Sequence, residues 1–245
     1  SCTCSFYFMY FRFSLIMSNR VVVSVSNDLT TDQRVHKVCT SLLHMGFDVL
    51  VVGRKLIDSQ QLHRNYSTQR FSTFFKSGPL FYFEFNIRLF FILLFKKTSI
   101  LLSNDLDTLP ANFFASKIKN LHLVYDSHEL FPEVPELVHS PIKKKIWEAI
   151  EKFFLTRVSA SYTVCDSIAN FYQQKYGLKM KVVKNVPEQS EFVQEEAKDP
   201  KSIIFQGALN PGRGLDLAID SMQYLADYKL TIVGGGQQMN NLKSL

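Results

Sequence analysis

Three short apolar runs each end in residues that can do chemistry. The run at 21–25 is followed by Ser26, Asn27 and Asp28; the run at 100–103 by Asn104, Asp105 and then Asp107; the run at 121–125 by Asp126, Ser127, His128 and Glu129. Carboxylates and amides hydrogen-bond to hydroxyls, and an imidazole donates to a hydroxyl or a phosphate and titrates near neutrality. In an open parallel sheet, ligands bind beyond the carboxyl ends of the strands, where these groups fall. Asp and Asn at such positions also cap helices, which accounts for any one cluster by itself. Three clusters on one sheet edge are harder to reduce to capping. His128 is the leading catalytic candidate, with Asn27, Asp28, Asp105 and Asp107 as binding candidates. His36, His44, His63, His122 and His139 share no such context and read as surface or packing residues.

A second candidate lies further on, where Gln206-Gly207-Ala208-Leu209-Asn210-Pro211-Gly212-Arg213-Gly214 follows a strand-like run and opens a helical one. Backbone N–H groups and the positive end of a helix can meet a pyrophosphate there, and Arg213 adds a fixed positive charge. Gly207, Arg213 and Gly214 are therefore the candidates for a diphosphate. Other chemistries lose their support. The turn after the first strand reads SNDLTTDQR rather than GxGxxG, which removes the main argument for a nicotinamide enzyme, and no P-loop occurs. No HExxH or HxxxH pair occurs, so neither a catalytic metal nor a resident cofactor is expected. Cys2, Cys4, Cys39 and Cys165 form no CxxC pair; Cys39 and Cys165 read as small core residues, and a reducing cytoplasm is the expected compartment.

The elements that must position these residues alternate. β-Branched runs at 21–26, 49–53, 100–103, 121–126, 161–164 and 181–183, with a weaker one at 66–71, alternate with segments of helical period. Val35, Val38, Cys39, Leu42 and Leu43 make one helix face that Gly46 ends, and Ile146, Trp147, Ile150, Phe153 and Phe154 make another. Asp166 is placed to cap a third helix, which runs to Tyr176 and stops at Gly177. This pattern predicts a parallel sheet with helices on both faces. The composition, 46% hydrophobic and 20% charged, is that of a globular protein, and a net charge of +6 suits phosphate-bearing or anionic partners without zinc-finger or RNA-binding signatures, so no nucleic acid is expected.

Residues 1–16 lack an initiating Met, are crowded with aromatics and read as a leader outside the fold. Residues 17–186 form a first domain; 187–201, with two prolines and several acids, a linker; and 202–245 a single βαβ unit, the opening of a second domain that is expected to continue. The segment 79–97 is the one membrane candidate. Glu84, Asn86 and Arg88 interrupt it, and Glu84 can pair with Arg88 one helical turn on, so it reads first as a helix beside the sheet, second as an interfacial helix and last as a span.

These motifs together resemble family 4 glycosyltransferases of the GT-B fold, through VSNDLTTDQRVHKV, VYDSHELFPEVPEL, SYTVCDSIANFYQQKYG, KVVKNVPE, IIFQGALNPGRGLDLAIDSMQYL and YKLTIVGGG. The resemblance covers the chain from about Val21 to its end. It implies a complete Rossmann-like first domain plus the first βαβ unit of a second. It also implies transfer of a sugar from a nucleotide diphosphate sugar, with retention and without metal, to a glycan or lipid-linked acceptor in cell-surface glycan or glycolipid synthesis. His128 would lie near the donor sugar, Asn27 and Asp28 on the acceptor side, and Gly207 with Arg213 at the diphosphate. Two departures stand out. Where the family places an Arg shortly after the strand's glycine, this chain has Ala208 and Leu209, and the family's paired glutamates have no counterpart in these 245 residues. The chain by itself is therefore expected to be inactive. Its expected location is the cytoplasm, with peripheral contact on the inner face of a membrane. The alternatives are a GT-B epimerase or phosphorylase, and a non-catalytic module that docks through Phe81–Phe95.

Overall fold

The computed structural model describes residues 19–30, 32–134, 140–186 and 199–244; the leader read over 1–16 and most of the linker read over 187–201 lie outside them. The chain divides into two compact units, 1–185 and 186–245. In the first, the elements run β1 (Arg20–Asp28), α1 (Gln33–His44), β2 (Asp48–Arg54), β3 (Ser67–Phe71), α2 (Gly78–Leu94), β4 (Ile100–Asn104), α3 (Leu109–Lys119), β5 (His122–Ser127), α4 (Pro141–Leu155), β6 (Ala160–Thr163), α5 (Asp166–Tyr176) and β7 (Lys181–Val182). The strands form one parallel sheet in the order β3-β2-β1-β4-β5-β6-β7.

Side chains on a strand alternate between faces, and the apolar runs of β1, β2 and β4 fill both. Val22, Leu50, Val52 and Leu101 enter one core with residues of α2, α3, α4 and α5. Val21, Val23, Val25, Val49, Val51 and Leu102 enter the other, against Val35 and Cys39 of α1. The order of the strands reverses at β1: the chain leaves it toward β2 and β3, then returns to β4 on its other side. Such a reversal leaves a crevice at the carboxyl ends of the two strands, where neighbouring loops turn away from one another. β1 also loses its register with β2 after Ser24, so Ser26 to Asp28 leave the regular ladder at that crevice.

The helices differ in how plainly the sequence encodes them. Asp32 caps α1 by accepting from Val35 N at 2.9 Å. α5 begins at Asp166 itself, with extended Cys165 at the cap position and no side-chain cap bond, so Asp166 acts through the positive end of the helix rather than as its cap. Gly177, at φ +69°, ends α5 as expected. Cys39 is core, its thiol pushed up to about 12 by burial, whereas Cys165 is half-exposed rather than core because it stands at that helix entry. α2 buries Phe81, Phe85, Leu89 and Leu93, and Glu84 pairs with Arg88 at 2.7 Å. Among the described residues no helix is long and apolar enough to cross a membrane.

The second unit contains β8 (Ser202–Gln206), α6 (Leu215–Ser221), β9 (Lys229–Val233) and α7 (Met239–Leu242), with β8 and β9 paired in parallel. The helix read over 215–225 tightens into a 3₁₀ turn at Met222–Tyr224.

Candidate active site

The carboxyl ends of β1, β4 and β5 are adjacent, and their polar residues form one network. Ser26 donates to Asp107 Oδ2. The Asp107 carboxyl is buried and its Oδ1 has no partner among the described residues. Burial, reinforced by the nearby Asp105 charge, pushes the Asp107 carboxyl up to about 7, with the Ser26 hydrogen bond pulling against it. Asp105 adopts a left-handed backbone at φ +65°, unusual for a residue with a side chain, and its N–H donates to Asp126 O at 2.9 Å. That turn sets the Asp105 Oδ1 2.8 Å from His128 Nδ1. The distance is that of an ion pair, but Nδ1 makes no aligned hydrogen bond among the described residues, so charge attraction joins the two groups. Burial favours the neutral imidazole; Asp105 outweighs it and raises His128 above the ordinary histidine value.

A cation stands beside the carboxylates. Arg34, in the first turn of α1, donates from Nη1 to Asn104 Oδ1 at 2.7 Å and from Nη2 to Asp126 Oδ1, while Tyr162 of β6 donates to Asp126 Oδ2 at 2.8 Å. Burial pushes Asp126 up to about 6 even so. Sequence reasoning missed Arg34. The signal was available, since an Asp closing a buried strand needs a cation, and the first helical turn after β1 is the nearest segment able to supply one.

The turn between β4 and α3 is held from behind. Thr108 Oγ1 donates to Asn104 O at 3.0 Å and lies 2.7 Å from Ser103 Oγ. Asn86 of α2 donates to Asp107 O at 2.7 Å and accepts from Ala111 N at 3.0 Å. A single amide of a neighbouring helix thus fixes the backbone on both sides of the α3 entry.

The structure gathers Asp105, Asp107 and His128, but turns Asp28 elsewhere. Its carboxylate accepts from Ser59 Oγ at 2.6 Å and Thr30 N at 3.1 Å and lies 3.7 Å from Arg70 Nη1 of β3; burial opposes its ionisation, but these partners hold it below the ordinary carboxylate value. Asn27 is exposed at the end of β1. Among the described residues, no group of three or more His, Cys, Asp or Glu gathers to hold a metal ion.

In the second unit, the loops after β8 and β9 run against each other. Leu209 N donates to Gly235 O at 3.0 Å, and Gln238 N donates back to Leu209 O at 2.9 Å. A Cβ on Gly234 would sit 1.8 Å from Gly207 O, so only glycine permits this approach. Leu209 is buried, so the position where the family resemblance calls for an Arg holds an apolar side chain pinned between the loops. Gly214, at φ +68°, precedes α6, and Arg213 beside it is exposed and makes no ion pair among the described residues.

A Rossmann-like sheet with polar groups at its switch point, followed by a second βαβ unit, is the architecture of GT-B glycosyltransferases. Residues 32–187 match the model of Glycosyltransferase Family 4, and the chain belongs to that family. The fold is similar to sucrose-phosphate synthase from Thermosynechococcus elongatus, with a TM-score of 0.71 and 12% identity over 89% of this chain and 63% of that one. It is similar to the lipopolysaccharide outer core galactosyltransferase WaaB, with a TM-score of 0.59 and 14% identity over 92% and 63%. Anabaena Alr3699/HepE in complex with UDP and glucose gives a TM-score of 0.61 and 13% identity over 92% and 64%. The chain therefore spans less than two thirds of each of these structures. No match is found among the curated proteins.

Proposed function

We propose that this protein takes part in transfer of a sugar from a nucleoside diphosphate sugar to an acceptor hydroxyl, with retention at the anomeric carbon and without metal or resident cofactor. The observation that carries this reading is the His128–Asp105 pair beside the buried Asp107 carboxyl at the switch point of the sheet. His128, whose proton the Asp105 carboxylate favours, donates to a sugar or phosphate oxygen. Asp105 orients it, and the edge formed with Asn27 receives the acceptor. Gly207, Gly214 and Arg213 face the diphosphate, where Arg213 meets the negative charge that grows on the leaving phosphate, an interaction stronger in the transition state than in the ground state. UDP and glucose in the HepE structure support a donor of this class. The paired glutamates that the resemblance calls for have no counterpart in these 245 residues, so this chain by itself is expected to contact donor without turnover.

The test uses a chain extended to the full span of the matched structures, supplied with UDP- and ADP-sugars and glycan acceptors, with nucleotide release followed over time. Retained anomeric configuration by NMR, activity unaffected by EDTA, and a loss of about 10²-fold on His128→Ala are expected. Conversion of the sugar nucleotide with no acceptor consumed would replace this reading with an epimerase.

A further inference from the structure

The buried face of α2 is matched by an apolar outer face. Phe81, Phe85, Leu89 and Leu93 recur every fourth residue against the core. On the opposite side, Leu80, Phe83, Ile87 and Phe91 recur at spacings of three and four residues with 44–69% of each exposed, and Phe95 continues the stripe at 85%. A helix covered on one side needs polar residues on the other, and α2 does not supply them. Phe74, 84% exposed, stands under the Arg88 guanidinium with 5.1 Å between that group and the ring centre.

The charges around this stripe have one sign. Between Phe71 and Asn104 the only acid is Glu84, against Lys76, Arg88, Lys96 and Lys97. Glu84 is occupied: it accepts from Phe74 N and Phe75 N and pairs with Arg88. α3 packs beside α2, contains no acid, and presents exposed Lys117 and Ile118, while its Lys119 donates to the Leu93 and Lys96 carbonyls at the end of α2. A second copy of the chain docked face to face would set lysine against lysine across a two-fold axis. An anionic surface instead attracts each basic residue near it, and aromatic rings with basic flanks are the composition of a helix lying in a membrane interface.

We propose that the α2 outer face docks this protein on an anionic lipid bilayer, with α2 lying in the plane of the interface and its C-terminal lysines at the headgroups. The proposal stands independently of the transferase reading. Asn86 ties this same helix to the Asp107 loop, so docking brings the switch-point edge and the bilayer into one rigid frame.

The test is co-sedimentation of the 245-residue chain with phosphatidylcholine vesicles and with vesicles that also contain phosphatidylglycerol. Binding to the second kind, weakened by salt and at least about tenfold stronger than to the first, is expected. Phe83→Ser with Phe91→Ser removes apolar contact and is expected to lower affinity about tenfold or more. Lys97→Ala with Lys117→Ala is expected to lower it about tenfold on anionic vesicles only. These side chains are exposed, so the circular dichroism of both variants should match the parent. Absence of binding to anionic vesicles overturns the proposal, as does binding that both double variants leave unchanged. A dimer in light scattering that the Phe variant dissolves, without vesicle binding, identifies a second copy as the occupant and overturns it too.

Discussion

At the residue scale, the fold sets apart the proton affinities of neighbouring acids, raising Asp107 and Asp126 and lowering Asp28. Asp107 is the clearest case, because burial and Asp105 raise it from 3.8 to about 7. Its proton is held more tightly in the folded than in the unfolded chain, so stability is withdrawn as pH rises between those values and the cost is fully present above them. The ceiling on that cost is about 4 kcal/mol. Asp107→Asn keeps an acceptor for Ser26 and removes the ionisation, so we expect a higher melting temperature at pH 8, by roughly 3 °C or more, and little difference near pH 4. An equal shift at both pH values would show that ionisation is not the cause. Arg34→Ala works in the other direction. It leaves the buried Asp126 without its cation, with an expected loss of ~3–5 kcal/mol in urea unfolding at pH 8 that shrinks as pH falls toward about 6, because Asp126 without the Arg34 charge takes up its proton above that value.

At the element scale, the loop that holds Asp105 and Asp107 depends on a helix far from it in sequence. Asn86→Ala removes the two hydrogen bonds to the α3 entry, along with one to Tyr82 O in its own helix, and strands the Ala111 N–H, an expected loss of ~1–3 kcal/mol measured by denaturant unfolding. The elements also differ in how far the sequence discloses them. The strands read at 21–26, 49–53, 100–103 and 121–126 recur in the structure because strands buried on both faces must be continuous apolar runs. α3 is not plain in the sequence, because its outward side carries Phe114 and Ile118 beside Lys117 and so lacks a polar stripe, while Asn112 and Ser116 are buried polar groups bonded to Ser24 and to the helix's own Phe113 carbonyl. The three polar clusters were legible for the reason that the ends of strands are. Asn86 and the diversion of Asp28 toward Ser59 and Arg70 were not, since each depends on which elements lie side by side in space.

At the scale of the whole molecule, the two units are buried to very different degrees. In the first, β1, β2, β4 and β5 have strand centres closed on both faces; in the second, β8 and β9 are exposed or half-buried at every position. Amide protection follows burial and the free energy of local opening rather than the presence of a ladder bond by itself. Hydrogen exchange read by mass spectrometry should therefore find peptides covering Val21–Val25 and Leu101–Asn104 protected close to the global stability. Those covering Ser202–Gln206 and Lys229–Val233 should exchange orders of magnitude faster, despite an equally regular parallel pairing. A UDP-sugar bound at Gly207, Arg213 and Gly214 would slow the second group selectively, because a ligand stabilises only the states that bind it. Uniform slowing across both units would mean that the donor is held elsewhere, and unchanged exchange in the second unit would remove the Arg213 turn from the site.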